Sequence, residues 1–151
     1  GGICDYEKIF LCLSAEHKTV KNILKRKAFS VSMANTANMV ACDYVGIVSA
    51  NDVLDKVKQA GWTTTKSEFV DAPIINELPL TLECEMESFD EKTDIMIGKI
   101  INVSADESIL TDGKIDVDKL QPLTYDAVHH HYIQLGKIVG KAFQEGLKIK
   151  K

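Results

Sequence analysis

A hydroxyl-rich, basic segment near the start of this chain has the residue types that hold a phosphate. It reads Ser14-Ala15-Glu16-His17-Lys18-Thr19 and separates a strand-like apolar run from a helix-like one. A turn of this kind at the start of a helix offers free backbone N–H groups at the positive end of the helix dipole. Thr19 can cap the helix and present its hydroxyl to a terminal phosphate, while His17 and Lys18 add positive charge. A plain capped turn on the surface is the alternative interpretation.

A second polar segment follows about thirty residues later and ends in a lysine. We interpret residues 43–49 as a polar turn, followed by Asn51-Asp52 and then by Asp55-Lys56. Lys56 could meet another part of the anionic ligand that Thr19 binds. On sequence alone, a lysine on a helix is usually a solvated surface residue, and that is the alternative interpretation of Lys56.

Two other groups of titratable residues attract attention and are assigned no chemistry. The run His129-His130-His131 is not expected to bind a metal, because adjacent side chains diverge in a helix and only alternate ones share a face of a strand. No carboxylate or cysteine lies at a supporting zinc spacing. Glu83, Glu85 and Glu87 alternate with apolar residues, and we interpret them as the wet face of a strand.

The composition excludes several classes of protein. The 151 residues are 45% hydrophobic and 26% charged, with a net charge of −4, which argues against a nucleic-acid-binding protein. No apolar stretch approaches the ~20 residues that cross a bilayer, so no membrane partner is expected. The four cysteines show neither a Cys-x-x-Cys pair nor zinc spacing, and we predict a reduced protein in the cytoplasm.

The elements that position these residues can be predicted along the chain. Residues 9–15 alternate as a strand, and a short helix with Val20, Ile23 and Leu24 ends at the basic residues 25–27. A second strand follows over residues 29–33. Its end leads to predicted helix N-caps at Asn35 and Asn51, the second of which opens a helix that begins near residue 52 and ends at Ala60-Gly61.

The second half of the chain is predicted to be mostly extended. Residues 62–79 are punctuated by proline, with little regular structure, and residues 80–89 form the clearest strand. A turn at residues 90–92 returns the chain into a partner strand with Ile95, Ile97, Ile100 and Val103. Several strands with two or three short helices fit a small closed β-architecture.

Landmarks along nearly the whole chain occur in the order found in one known family. They are His17-Lys18-Thr19, Phe29-Ser30-Val31, Asp43 with Gly46 and Ser49, Asp55-Lys56, Ala60-Gly61, Pro73, Leu82-Glu83-Cys84, Ile97-Gly98, Tyr132 and Gly140-Lys141-Ala142-Phe143. In this order they resemble the flavin-reductase-like, FMN-binding split-barrel family, and within it the flavoredoxin-type branch. The resemblance implies a mainly β fold, a split β-barrel of Greek-key type with short peripheral helices, as one domain over residues 1–151.

The resemblance also implies a function. We expect an FMN-binding flavoprotein that transfers electrons or hydride, either a flavin reductase with NADH or NADPH as donor or a flavoredoxin-like carrier for a small-molecule or protein partner. A homodimer is expected, because family members build the flavin pocket at or near the subunit interface. The alternative is a non-catalytic barrel that binds another ligand, such as haem.

The resemblance implies a set of cofactor-binding residues, which are Ser14, His17, Lys18, Thr19, Lys56, Thr93, Tyr125 and Tyr132. Thr19 and its turn would hold the phosphate, and Lys56 would lie near the pyrimidine end of the flavin ring, where an ammonium favours the anionic reduced form. The two tyrosines would pack against the ring or the ribityl chain, and packing in the core or at an interface is the equal alternative for each. Phe143 is expected to anchor the C-terminal tail.

The chain departs from the family pattern in three places. Family members begin with an Asn-Ala and tryptophan segment that contacts the flavin, and this chain starts just after that segment should end, so we expect the first strands of the domain to be missing. Thr93-Asp94 stands where the branch often has a histidine. Ser32 stands where an asparagine often ends the second strand.

Overall fold

The computed structural model describes residues 1–150 and contains eleven strands among them. They are β1 (Gly2–Asp5), β2 (Lys8–Cys12), β3 (Ala28–Ser32), β4 (Thr64–Lys66), β5 (Pro73–Ile75), β6 (Leu80–Asp90), β7 (Ile95–Ala105), β8 (Leu110–Thr111), β9 (Lys114–Ile115), β10 (Leu123–Asp126) and β11 (His131–Gln134). Five of them form one sheet in the order β1-β2-β7-β6-β3, with every neighbouring pair antiparallel. The remaining strands form the hairpins β4–β5, β8–β9 and β10–β11.

The helices are short and lie between the strands. They are α1 (Lys18–Arg26), α2 (Met39–Ile47), α3 (Lys56–Gln59) and α4 (Val117–Leu120), with 3-10 turns at Thr36–Asn38, Glu107–Ile109 and Glu145–Ile149. None of the helices within residues 1–150 is long and apolar enough to cross a membrane. The predicted mainly β fold with short helices is confirmed.

The main core lies between α1 and the five-stranded sheet. Val20 and Ile23 of α1 pack against sheet residues that include Phe29, Cys84 and Met96. A Cβ atom at position 98 would collide with the Phe29 ring, so the close approach of strand β7 to that ring requires Gly98. The apolar stripe of α1 therefore fixes the helix across the sheet, and with it the segment that precedes the helix.

Helix α1 forms as predicted, but its N-terminal cap does not. Lys25 and Arg26 in its last turn interact favourably with the negative end of the helix dipole. The helix ends at Lys27, which has a left-handed backbone conformation with a φ of 58°. The cap position is His17, with no side-chain cap hydrogen bond, and Thr19 lies inside the first turn. The predicted Thr19 cap is therefore wrong.

The polar turn predicted at residues 43–49 is also wrong, because helix α2 covers most of it. The helix predicted to begin near residue 52 begins at Lys56 instead. The delay has a local cause, since Ser49 accepts hydrogen bonds from Asn51 N–H through its Oγ (3.1 Å) and from Val53 N–H through its carbonyl (2.9 Å). Asn51 is consequently not an N-cap, whereas Asn35 does accept from Asn38 N–H at 3.1 Å.

Strands β6 and β7 pair as predicted, but the outer face of β6 is not uniformly wet. Glu85 and Glu87 are exposed, whereas Thr81 and Glu83 are buried. The segment at residues 67–72 covers this half of the strand, with Ser67 bonded to the Glu83 carboxylate. In the segment predicted to have little regular structure, residues 62–79, the short hairpin β4–β5 provides the only strand pairing among the residues that the structure describes.

Candidate functional site

A cavity of about 950 Å³ lies between α1, β3, the α2–α3 region and the β4–β5 hairpin. Its walls are mainly apolar, with Ile23, Phe29 and Trp62 among them, and polar side chains enter at a few positions. A volume of this size and a lining of this kind are typical of small-molecule and cofactor sites. We therefore take this cavity as the candidate site.

The first polar position is at the N-terminal end of α1. Thr19 lines the cavity together with Asn22 and Arg26, which lie on the same face of the helix. The first backbone bond of α1 runs from Lys21 N–H to the His17 carbonyl (3.3 Å). The N–H groups of residues 18–20 precede that bond, so this end of the helix has donors to offer to an anion.

The second polar position is Lys56. Its ammonium donates to the carbonyls of Val45 (2.7 Å) and Val48 (2.8 Å) at the C-terminal end of α2, and the side chain lines the cavity. An ammonium has three N–H donors, so one remains for a ligand. The two carbonyls fix the head group where the negative end of the α2 dipole also favours it.

Strand β3 supplies hydroxyls to the cavity. It is an edge strand of the sheet, bonded on one side to β6. Ser30 Oγ donates to the Pro73 carbonyl at 2.6 Å, and Ser32 Oγ shares a hydrogen bond with Thr81 Oγ1 at 2.8 Å. Ser32, which stands where the resemblance implies an asparagine, also lines the cavity.

The structure brings two of the predicted cofactor-binding residues, Thr19 and Lys56, to this one cavity. Ser14, His17, Lys18 and Thr93 lie outside its walls, in the turn before α1, at the start of α1 and in the β6–β7 turn. These turns are adjacent, because Leu13 N–H donates to the Asp94 carbonyl at 2.8 Å.

Tyr125 and Tyr132 are placed on the β10–β11 hairpin, beside α2. Their ring centroids are 5.8 Å apart, and Tyr125 hydroxyl lies 2.5 Å from His130 Nδ1. Tyr132 hydroxyl donates to Asp43 Oδ1 at 2.7 Å, and this hydrogen bond raises the pKa of Tyr132. The two tyrosine rings therefore pack on each other, Tyr132 is bonded to α2, and neither side chain lines the cavity of this chain.

The three histidines of residues 129–131 lie in two environments, because His130 contacts Tyr125 whereas His129 and His131 contact each other. His129 Nδ1 lies 2.8 Å from Asp126 Oδ2, and the rings of His129 and His131 stack with centroids 5.9 Å apart. Within residues 1–150 there is no group of three or more histidine, cysteine, aspartate or glutamate side chains placed to hold a metal ion.

Sequence reasoning missed several cavity residues. Trp62 is the single tryptophan of the chain and is only 7% exposed, and a lone buried tryptophan in an extended segment was a usable signal. Arg26 pairs with Asp71 at 2.9 Å, which ties α1 to the segment after β4. That pair joins residues 45 positions apart, and no local pattern indicates it.

Comparison with known proteins adds a family and solved structures. A family model described as "Flavin reductase like domain" matches residues 7–134. The flavoredoxin of Desulfovibrio vulgaris (Miyazaki F) is 34% identical with a TM-score of 0.91, covering 96% of this chain and 80% of that one. The flavoredoxin from Methanosarcina acetivorans is 26% identical with a TM-score of 0.83, covering 94% and 75%. The expected split-barrel fold is confirmed by these structures.

The similar curated proteins are longer than this chain. An uncharacterized protein of Halalkalibacterium halodurans is 25% identical over 114 residues, which are 70% of this chain and 54% of that protein. The uncharacterized protein YdfE of Bacillus subtilis is 31% identical over 96 residues, 60% of this chain and 45% of the relative. The chain spans about half the length of the curated relatives it matches.

Proposed function

Because this chain belongs to the flavin reductase like domain family, we propose that it is an FMN-binding flavoprotein that transfers electrons or hydride. It works either as a flavin reductase or as a flavoredoxin-like carrier. The proposal treats residues 1–151 as one flavin-binding domain. The two solved structures compared above are flavoredoxins by name, and they give the haem alternative no support.

The observation that carries the proposal is the cavity that extends from Thr19 to Lys56. It has hydrogen-bond donors at the α1 end, an ammonium at the Lys56 end and apolar walls between them. FMN has a matching order of parts, with a phosphate at one end, a polar ribityl chain and a broad aromatic ring at the other. The donor set and the volume therefore fit the cofactor.

At the phosphate end, the Thr19 hydroxyl and the N–H groups at the start of α1 bind and orient the anion. Lys18, next to His17, adds positive charge at the same helix end, which strengthens attraction to a phosphate. Ser14 and Thr93 belong to the two turns that meet beside this end, and we propose that they complete the wall on that side.

At the ring end, Lys56 supplies a fixed positive charge and one free N–H donor. The redox chemistry belongs to the flavin when it is bound. The protein residues hold the ring against apolar walls such as Trp62 and Phe29, which exclude water, and Lys56 stabilises negative charge on the pyrimidine side. No side chain of the protein needs to form a covalent bond.

We propose NADH or NADPH as the electron donor of the reductase form of this function. A small molecule or a protein is the acceptor, and no nucleic acid is involved.

All four cysteines, which lie within residues 1–150, carry free thiols, and this supports a cytoplasmic location.

We also propose that the protein is a homodimer. Large apolar side chains are exposed along the β10–β11 hairpin and the tail that follows it, including Ile133, Val139 and Phe143. Phe143, expected to anchor the tail, is 98% exposed in the single chain, so any anchoring requires a second surface. A second copy would also bring Tyr125 and Tyr132 towards the flavin pocket of its partner.

The test is the colour and the flavin content of the purified protein. A yellow preparation that releases FMN on heating, and whose colour is bleached by NADH or NADPH, supports the reductase. Bleaching only by a reduced protein or by dithionite supports the carrier. A colourless protein that ignores added FMN contradicts the proposal.

A further inference from the structure

Asp94 links the β6–β7 turn to the turn before α1, and its partner Ala15 lies 79 positions earlier in the sequence. Strand β2 pairs with β7 only as far as Cys12 opposite Ile95. Beyond that point, Leu13 N–H donates to the Asp94 carbonyl at 2.8 Å, and Ala15 N–H reaches its Oδ1 at 3.3 Å. One residue of the β6–β7 turn thus receives two hydrogen bonds from the turn that leads into α1.

Asp94 has a positive φ angle, and the two hydrogen bonds from Leu13 and Ala15 hold it in that conformation. Its φ is 57°, in the left-handed region that is uncommon for residues other than glycine, although aspartate and asparagine tolerate it best. Strain of this kind persists where the surrounding contacts hold it in place. Here those contacts are the two bonds to Leu13 and Ala15, which use both the carbonyl and the carboxylate of Asp94.

We call the two hydrogen bonds from Leu13 and Ala15 to Asp94 the Asp94 clamp. The clamp acts on the start of helix α1 through a short series of hydrogen bonds. Ser14 accepts from His17 N–H through its carbonyl at 3.0 Å, and His17 in turn accepts the first helical bond, from Lys21 N–H. Holding Leu13 and Ala15 therefore fixes the direction in which the free N–H groups of α1 point. His17 has no side-chain cap, so the bonds to Asp94 add to the packing of Val20 and Ile23 in holding this end of the helix.

We propose that Asp94 is a positioning residue for the phosphate of the flavin, an inference that rests on the function proposed above. Asp94 does not contact the phosphate; it holds the Ser14–Thr19 turn so that the helix end and the Thr19 hydroxyl are aligned to receive it. Its carboxylate is a hydrogen-bond acceptor here, and its charge is a disadvantage beside an anion. An amide at this position should therefore serve equally well.

The experiment compares two variants by the ratio of their affinities for FMN and riboflavin, which differ only in the phosphate. Asp94→Gly accepts the positive φ without strain but loses the bond to Ala15, so it should remain folded. We expect it to bind FMN about five- to tenfold more weakly, the scale of one lost hydrogen bond, with riboflavin nearly unchanged. Asp94→Asn keeps the Oδ1 acceptor and should bind FMN at least as tightly as the wild type.

A matched control is Asp112→Gly, because Asp112 has a φ of 51° in the distant β8–β9 turn. It should leave both affinities unchanged. If Asp94→Gly keeps the wild-type ratio, or if Asp94→Asn loses as much FMN affinity as Asp94→Gly, the clamp is not a positioning device. If the wild type shows no preference for FMN over riboflavin, the phosphate site itself fails, and this inference fails with it.

Discussion

The Lys56 ammonium donates to the Val48 carbonyl at 2.8 Å, and this bond joins the cavity wall to the end of a helix. A second bond, to the Val45 carbonyl, makes Lys56 the residue that closes α2. One side chain therefore has two separable roles. It completes the backbone hydrogen bonding of α2, and it presents positive charge to the ligand.

Removing that charge should affect stability and redox behaviour together. In Lys56→Met, two carbonyls lose a charged donor, and we expect the protein to lose about 1.5–3 kcal/mol of unfolding free energy. The reduction potential of bound flavin should become more negative, because a positive charge near the ring no longer favours the reduced state. Urea denaturation and a potentiometric titration measure the two effects.

Lys58→Met is the matched control, since Lys58 is exposed on the same short helix. It should change neither quantity. A Lys56→Met protein with an unchanged flavin potential would place the ammonium away from the ring.

Thr19→Ala tests the phosphate end of the cavity. The lost hydroxyl is a donor to an anion, a class of hydrogen bond that contributes about 1.5–3 kcal/mol, so FMN affinity should fall about ten- to a hundredfold. Riboflavin affinity should fall much less. Thr19→Ser keeps the hydroxyl and should retain most of the FMN affinity, and equal losses for FMN and riboflavin in Thr19→Ala would contradict the assignment.

The Glu83 carboxyl makes the free energy of unfolding depend on pH in the acid range. Burial raises the pKa of its carboxyl, but hydrogen bonds from Ser104, Ser67 and Asn102 outweigh that effect and hold the pKa below the usual 4.5. A carboxyl whose pKa is lower in the folded state stabilises the protein above its unfolded pKa, and that contribution is lost as the pH falls through the folded pKa.

Glu83→Gln should therefore be less stable than the wild type by about 1–3 kcal/mol at pH 7, because three donors lose a charged acceptor. The difference should shrink as the pH falls below 4.5. Glu85→Gln, exposed on the same strand, is the control and should show almost no difference at either pH. Chemical denaturation at a series of pH values measures the free energy of unfolding of each variant. If Glu83→Gln is less stable than the wild type by the same amount at every pH, the Glu83 carboxyl is not ionised.

Substitutions in the tail that follows β11 test the proposed dimer. Val139 and Phe143 are 100% and 98% exposed in the single chain, and burying a phenylalanine contributes about 1.5–3 kcal/mol. Phe143→Asp should convert a dimer into a monomer in light scattering, whereas Lys141→Ala, a polar change in the same segment, should not. A wild-type monomer at micromolar concentration would contradict the proposal.

The sequence was sufficient for elements whose pattern is local. The alternation along β6 and β7 and the apolar stripe of α1 predicted those elements, and the order of landmarks predicted the family. The N-cap at Asn35 predicted a helix start in this region, but the extent of helix α2 was missed. Asp43, Gly46 and Ser49 suggested a turn, and the apolar residues of α2 show no helical stripe. Glu83 was assigned to a wet face, since alternation separates the two faces of a strand but does not show what covers them.

The candidate site was predicted in part. Thr19 and Lys56 came from the family pattern, and the structure places both on one cavity. Whether Ser14, His17, Lys18, Thr93, Tyr125 and Tyr132 contact the flavin stays a prediction. Asp94 and Arg26 were not predicted, because their partners lie far along the chain and a single sequence contains no record of those contacts. Trp62 was not predicted either, although its being the single tryptophan of the chain was a usable signal.

FMN binding in this cavity is tested most directly through Trp62, the single tryptophan of the chain and part of the cavity wall. If FMN fills the space between Thr19 and Lys56, titrating it into the apoprotein must quench tryptophan fluorescence in a saturable way, with one FMN bound per chain. We expect this quenching in the wild type, and a weaker apparent affinity for FMN in Thr19→Ala. FMN that binds at a ratio of one per chain while Trp62 emission stays unchanged would contradict it.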